Sequence, residues 1–194
     1  TIKYNVQDKL GNSGTEVVRT VTVVDNTVPL ITLLGAAEVT IEADATYTDA
    51  GATASDSTDG DLTADIIVVN PVDTSKLGTY ALTYNVSDSS DNKAAEISRK
   101  VNVVDSAAPV VTLKGQAEST IEAGSDYTDA GATATDAFEG DLTSGISVTG
   151  TVDTSKLGDY TLSYSVKDTS ANEGTVSRKV TVADTIAPSI TLAG

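Results

Sequence analysis

Val72-Asp73-Thr74-Ser75-Lys76-Leu77-Gly78 returns unchanged as Val152-Asp153-Thr154-Ser155-Lys156-Leu157-Gly158. Self-similarity at a fixed spacing outranks any local signal, because it says that one supersecondary unit has been copied. Working outward from the two copies, Pro29, Pro109 and Pro188 recur, as do Gly51 and Gly131, and Asp61 and Asp141. Residues 26–105 and 106–184 align with one single-residue gap and are identical at more than half of their positions. A period of about 80 residues is far longer than a solenoid repeat and typical of a small autonomous β-sandwich.

The ends belong to the same series. Tyr4-Asn5-Val6-Gln7-Asp8 matches Tyr84-Asn85-Val86-Ser87-Asp88, and Val21-Thr22-Val23-Val24-Asp25 matches Val101 to Asp105. Residues 1–25 therefore read as the last two strands of a preceding repeat, and 185–194 as the first strand of a following one. Lacking cores of their own, these pieces are expected to be disordered or to borrow partners from neighbouring chains.

Within a repeat the apolar period is two, the signature of half-buried strands. Tyr80, Leu82, Tyr84 and Val86 alternate with Thr79, Ala81, Thr83 and Asn85, and Tyr160 to Val166 do the same. Gly35, Gly60, Pro71, Gly78 and Asn92 punctuate the runs. About seven short strands at this spacing predict an all-β chain of tandem, immunoglobulin-like antiparallel β-sandwich repeats. Leu77-Gly78-Thr79-Tyr80 and Leu157-Gly158-Asp159-Tyr160 stand just before the penultimate strand, where such folds place a tyrosine corner. All seven Tyr fall on strand positions, six of them matched between the two repeats, and read as core.

Composition narrows the function classes. The chain has 28 Asp plus Glu against 12 Lys plus Arg, a formal net charge of −16, and no Cys, His, Met or Trp. Like charges repel nucleic acid and anionic membrane surfaces. No apolar run approaches the ~20 residues that span a bilayer. Thiol, triad and zinc chemistry have no donors here. Paired carboxylates alone could hydrolyse glycosides, but that needs a larger cleft and sugar-facing aromatics. The expectation is a non-enzyme. With few aromatics and no disulfide, a sandwich of ~80 residues has a thin core and leaves room for a stabilising ligand.

The chain resembles a known family at these residues: Thr-Ile-Glu-Ala, Tyr-Thr-Asp-Ala-Gly-Ala-Thr-Ala, Gly-Asp-Leu-Thr, Val-Asp-Thr-Ser-Lys-Leu-Gly-x-Tyr and Tyr-x-Val-x-Asp. The pattern is similar to bacterial immunoglobulin-like repeats of the HYR and Cry22Aa type. That resemblance implies tandem modules of large secreted or surface-anchored proteins, located outside the cell or on the bacterial surface. It implies a spacer or adhesive stalk rather than a catalyst.

Topology directs the carboxylates. If the second strand of the repeat spans Gly51 to Ser55, the loop Asp56 to Asp61 lies at the end where the chain enters. The loop starting at Asp88 returns there, and Asp25 arrives there from the preceding repeat. Asp25, Asp56, Asp61 and Asp88 are thus expected to converge at one junction, and Asp105, Asp136, Asp141 and Asp168 at the next. Several carboxylates with backbone carbonyls and Asn92 or Asn172 nearby suit a hard cation taking six to eight oxygens, which means calcium. The placement is similar to cadherin-type arrays, where calcium between repeats stiffens the rod. The competing reading is that these Asp side chains are solvated turn formers. The joint Ser106-Ala107-Ala108 before Pro109 is short and biased to extended backbone. At ~3.3 Å per strand residue, each repeat would add on the order of 35 Å to a rod. Small-angle scattering is expected to show an elongated particle, stiffer with calcium.

Two alternatives remain open. A repeat could bind a ligand or carbohydrate itself, with Phe138, the one Phe, as the candidate anchor in an exposed loop. The array could also assemble into fibres with other copies through its end strands. Lys76 and Lys156 raise an isopeptide bond but sit in turns, and the Asn85-Val86-Ser87 sequon has no counterpart at Ser165-Val166-Lys167. Both read as incidental.

Overall fold

The computed structural model describes residues 1–192. It opens with a hairpin of β1 (Ile2–Tyr4) and β2 (Val17–Arg19), paired antiparallel. Then come β3 (Leu30–Leu33), β4 (Glu38–Glu42), β5 (Ala52–Asp56), β6 (Gly60–Asp61), β7 (Ile67–Val69), β8 (Gly78–Asn85) and β9 (Ile97–Val104). The same series repeats as β10 (Val110–Leu113), β11 (Glu118–Glu122), β12 (Ala132–Asp136), β13 (Gly140–Asp141), β14 (Ser147–Thr149), β15 (Gly158–Lys167) and β16 (Glu173–Ala183). A single 3₁₀ turn interrupts each series, at Thr63–Asp65 and Thr143–Gly145. The chain is all-β, as its period-two pattern predicts.

Each series makes two sheets. The order is β3-β5-β6 and β4-β9-β8-β7 in the first, and β10-β12-β13 and β11-β16-β15-β14 in the second. β3-β5, β5-β6, β7-β8, β10-β12, β12-β13, β14-β15 and β15-β16 pair antiparallel, while β11 runs parallel to β16 with Glu118 opposite Lys179. By packing, the chain divides into two compact units: 1–39 with 48–72 and 79–101, and 40–47 with 73–78 and 102–194.

The alternation places the core. Leu82, Tyr84 and Val86 in and after β8 are buried, with Val101 and Val103 of β9, and Ile31, Ala52 and Ala54 come from the other sheet. In the second series Ala132, Leu162 and Tyr164 form the centre, packed by Val111, Leu113, Tyr127, Ile146, Val152 and Val176. Among the described residues, Tyr84 and Tyr164 are the only aromatic side chains in the buried core, and the rest of it is aliphatic. The tyrosines divide. Tyr84 and Tyr164 are fully buried and Tyr47, Tyr80, Tyr127 and Tyr160 are half-buried, but Tyr4 is 50% exposed. The core reading fails at Tyr4 because the β1-β2 sheet has only two strands and leaves every residue of both exposed. Tyr160 does make the corner contact, its hydroxyl donating to the Lys156 carbonyl at 2.9 Å.

The one-residue gap in the repeat has a structural meaning. β15 and β16 stay in register out to Lys167 opposite Glu173. In the first series the ladder stops short: β8 ends at Asn85, Ser87 bridges Lys93, and the Ala94 amide donates to the Val86 carbonyl. An extra residue on one strand leaves two residues facing one and breaks the ladder locally. Residues 1–25 carry the longer spacing too, with a Gln7 to Ser13 bridge and the Gly14 amide on the Val6 carbonyl. Part of that segment is therefore a hairpin paired within the chain, where disorder or pairing with a neighbouring chain was expected. Thr185 to Leu192 forms no strand, and Ala193 and Gly194 of the expected first strand lie outside the described residues.

Candidate metal centre

β5 turns into β6 through Ser57-Thr58-Asp59, and Asp56, its last residue, caps that turn. Its Oδ1 accepts from the amides of Thr58 at 2.7 Å and Asp59 at 3.3 Å. Asp88 caps the next loop in the same manner, accepting from Ser90 at 2.9 Å and Asn92 at 2.8 Å. Asx turns of this kind fix a carboxylate by one oxygen and leave the other to point elsewhere. Asn92 then ties the loop to the incoming chain, donating to Asp88 Oδ2 at 2.7 Å and to the Asp25 carbonyl at 3.2 Å.

The result is a convergence. Asp25, Asp56, Asp59 and Asp88 each offer an oxygen, all within 4.8 Å of one another. The second unit repeats this with Asp105, Asp136 and Asp168, all three buried. Asn172 reproduces the tie, donating to Asp168 Oδ2 at 2.8 Å and to the Asp105 carbonyl at 3.1 Å. Asp56 and Asp105 are 9% exposed and Asp136 7%. The Oδ2 atoms of Asp25, Asp56, Asp105 and Asp136 are buried with no hydrogen-bond partner. A buried acceptor without a donor carries its full desolvation cost, so each such oxygen asks for a partner that the chain itself does not supply.

Charge balance differs between the two groups. The Thr27 hydroxyl and amide hold the Asp25 carboxyl below the usual range, at 2.5 and 2.9 Å. Ala107 stands in the place of Thr27 and offers Asp105 an amide alone, at 3.3 Å. Burial pushes the Asp105 carboxyl up, and Asp136, Asp168 and Glu139 add to the push. The second group is thus a set of carboxylates pressed together out of water. A divalent cation would relieve that.

Six of the eight carboxylates read from the sequence, Asp25, Asp56, Asp88, Asp105, Asp136 and Asp168, are brought together here. Asp61 and Asp141 are not. Each is exposed and caps its 3₁₀ turn instead, accepting from the Thr63 or Thr143 amide at 2.9 Å. β6 and β13 turn them away, because Asp61 pairs with exposed Ser55 and Asp141 with exposed Thr135, one residue before Asp56 and Asp136, and successive side chains point to opposite faces. Asp59 is the residue that sequence reasoning passed over, although its change to Glu139 was visible.

Two further contacts were not foreseen. Arg99 is buried and ion-paired to Asp49, donates to the carbonyls of Leu34 and of Gly51 at 3.1 Å, and lies over the Tyr84 ring. Arg178, Asp129, Lys114, Gly131 and Tyr164 repeat the arrangement. The recurrence of the Arg and Asp pair at nearly the same spacing in both copies, 50 residues in one and 49 in the other, was the signal. Phe138, read as an exposed anchor, is instead half-buried beside a cavity of about 340 Å³ lined by Glu42 to Ala45, Asp105, Ala107 and Ala137.

Comparison with known proteins places this geometry in context. The family described as Bacterial surface protein, Ig-like domain matches residues 31–103 and again 111–182. The pesticidal crystal protein Cry22Aa of Bacillus thuringiensis is 37% identical over 144 residues, which is 71% of this chain but 19% of that protein. Among solved structures, a lipoprotein from Bacteroides thetaiotaomicron is 28% identical over 41% of this chain and 40% of its own, with a TM-score of 0.37. The structure of CBM51-2 in complex with GlcNAc and INT domains from Clostridium perfringens ZmpB is 26% identical over 39% of this chain and 16% of its own, with a TM-score of 0.32.

Proposed function

Since the chain belongs to the Bacterial surface protein, Ig-like domain family, we propose that it is a non-catalytic spacer of an extracellular or surface protein, held firm by calcium. The observation that carries this reading is the pair of carboxylate groups with buried, unpartnered oxygens, built at matching places in both repeats. Oxygen donors on loops suit calcium, which accepts six to eight ligands in flexible geometry, better than magnesium, which demands a near-ideal octahedron. Asp25 and Asp105 sit on the segments that lead from one repeat into the next, so a bound ion would fix those segments. Neighbouring repeats of the same chain are the partners that this role needs. Among the described residues no helix is long and apolar enough to cross a membrane.

Calorimetric titration of chelator-treated protein with calcium chloride tests the reading. We expect saturable binding and a rise in melting temperature, since a ligand at 100 times its Kd stabilises by about 2.7 kcal/mol. Hydrogen exchange at residues 105–109 should slow on calcium addition. Neither heat nor a shift in melting temperature would remove calcium from the account and leave a plain spacer.

A further inference from the structure

The two carboxylate groups differ in one ligand, and that difference rests on a single methylene. Asp59 reaches its group while its carboxylate also accepts from Ser89, from the hydroxyl at 2.8 Å and the amide at 3.1 Å. Glu139 occupies the matching position and accepts from the Thr169 amide at 2.7 Å and from the Thr169 hydroxyl. With the extra carbon, that oxygen satisfies Thr169 while the carboxylate stays outside the set formed by Asp105, Asp136 and Asp168.

The inventories otherwise match. Each group holds two buried carboxylate oxygens without a partner, on Asp25 and Asp56 in one and on Asp105 and Asp136 in the other. Each has its Asn tie to the incoming carbonyl. The deeper burial of the second group strengthens attraction to a cation, yet a coordination position without a protein oxygen must be filled by water. Affinity for calcium follows the number and charge of protein ligands. Four carboxylates therefore outrank three.

We propose that the two sites are unequal calcium sites, with the Asp59 site filling first and Asp59/Glu139 as the residue pair that sets the order. This rests on the calcium reading above. A spacer built this way would firm up in two steps as calcium rises, one repeat before the next.

Reciprocal exchange tests it on the full chain. Calorimetric titration of the chelated protein should show two steps separated by about tenfold or more in Kd. Asp59→Glu should weaken the first step towards the second, and Glu139→Asp should tighten the second towards the first. Asp56→Asn removes the first site and leaves the weak step, which assigns the steps. Melting in chelator checks that each variant is folded. Two equal steps unchanged by either exchange would overturn the inference while leaving calcium in place. No calcium heat in the unaltered chain would overturn the calcium reading itself.

Discussion

Asp136 shows what a single residue does in these groups. It is 7% exposed, one oxygen caps the turn through the amides of Phe138 at 2.8 Å and Glu139 at 3.0 Å, and the other is unpartnered. Asparagine keeps the capping oxygen and removes the charge that presses on Asp105. Asp136→Asn should therefore raise the melting temperature in chelator and abolish the calcium-dependent rise of that repeat. A lower melting temperature in chelator would show that the carboxylates are not in conflict. Asp73 and Asp153 behave in the opposite sense. Lys76 and Ser75 hold the Asp73 carboxyl at about 2, and Ser155 and Lys156 do the same for Asp153. Their folded-state values lie below the 3.8 of an ordinary aspartate. Such groups favour the fold above the unfolded value, and the contribution fades as pH falls through the folded one. The melting temperature of Asp73→Asn/Asp153→Asn should lie below the parent's at pH 7, with the gap closing between about pH 4 and pH 2. Both pairs are exposed, so the effect should be small and salt-sensitive.

At the scale of elements, the buried arginines lock the sheets. Arg99 of β9 reaches Asp49, before β5, and the Leu34 and Gly51 carbonyls just past one end of the β3-β5 pairing, so one side chain spans both sheets. The Tyr84 hydroxyl of β8 donates to the same Asp49 at 2.7 Å. Removing one partner of a buried pair costs about 3–5 kcal/mol, because the other charge is left uncompensated. Arg99→Met should lose that much in urea unfolding, and Arg99→Met/Asp49→Leu should regain part of it. Equal losses in the single and double variants would make the network unimportant. In the second series burial and the bond to Asp129 push the Tyr164 hydroxyl up to about 12. Tyr164→Phe should cost about 1.5–3 kcal/mol, the range for a hydrogen bond to a charged group. β8 and β15 were legible as strands because their period is two. The Arg to Asp tie was not, since it joins residues 49 and 50 positions apart whose pairing depends on how the sheets face.

For the whole molecule, a formal charge of −16 sets the background. Going from 10 mM to 150 mM salt shortens the screening length from about 30 to about 8 Å, which relieves general self-repulsion. Sodium chloride should therefore raise the melting temperature modestly. Calcium at micromolar to millimolar levels and constant ionic strength should raise it further. If calcium did no more than an equal ionic strength of sodium, screening alone would explain the effect.

The sequence by itself determined the repeat, the period-two strands, the sandwich and the two places where carboxylates gather. Those properties are local or copied, and composition and spacing record them directly. Tertiary structure alone decided which acids belong. It turned Asp61 and Asp141 out to cap 3₁₀ turns, admitted Asp59 while leaving Glu139 on Thr169, and buried Arg99 and Arg178 against acids far away in sequence. The physical reason is that calcium takes its oxygens at about 2.3–2.6 Å, so membership of the proposed site is settled over a few ångströms. A strand pleat or one methylene moves a carboxylate across that distance, and sequence spacing does not register it.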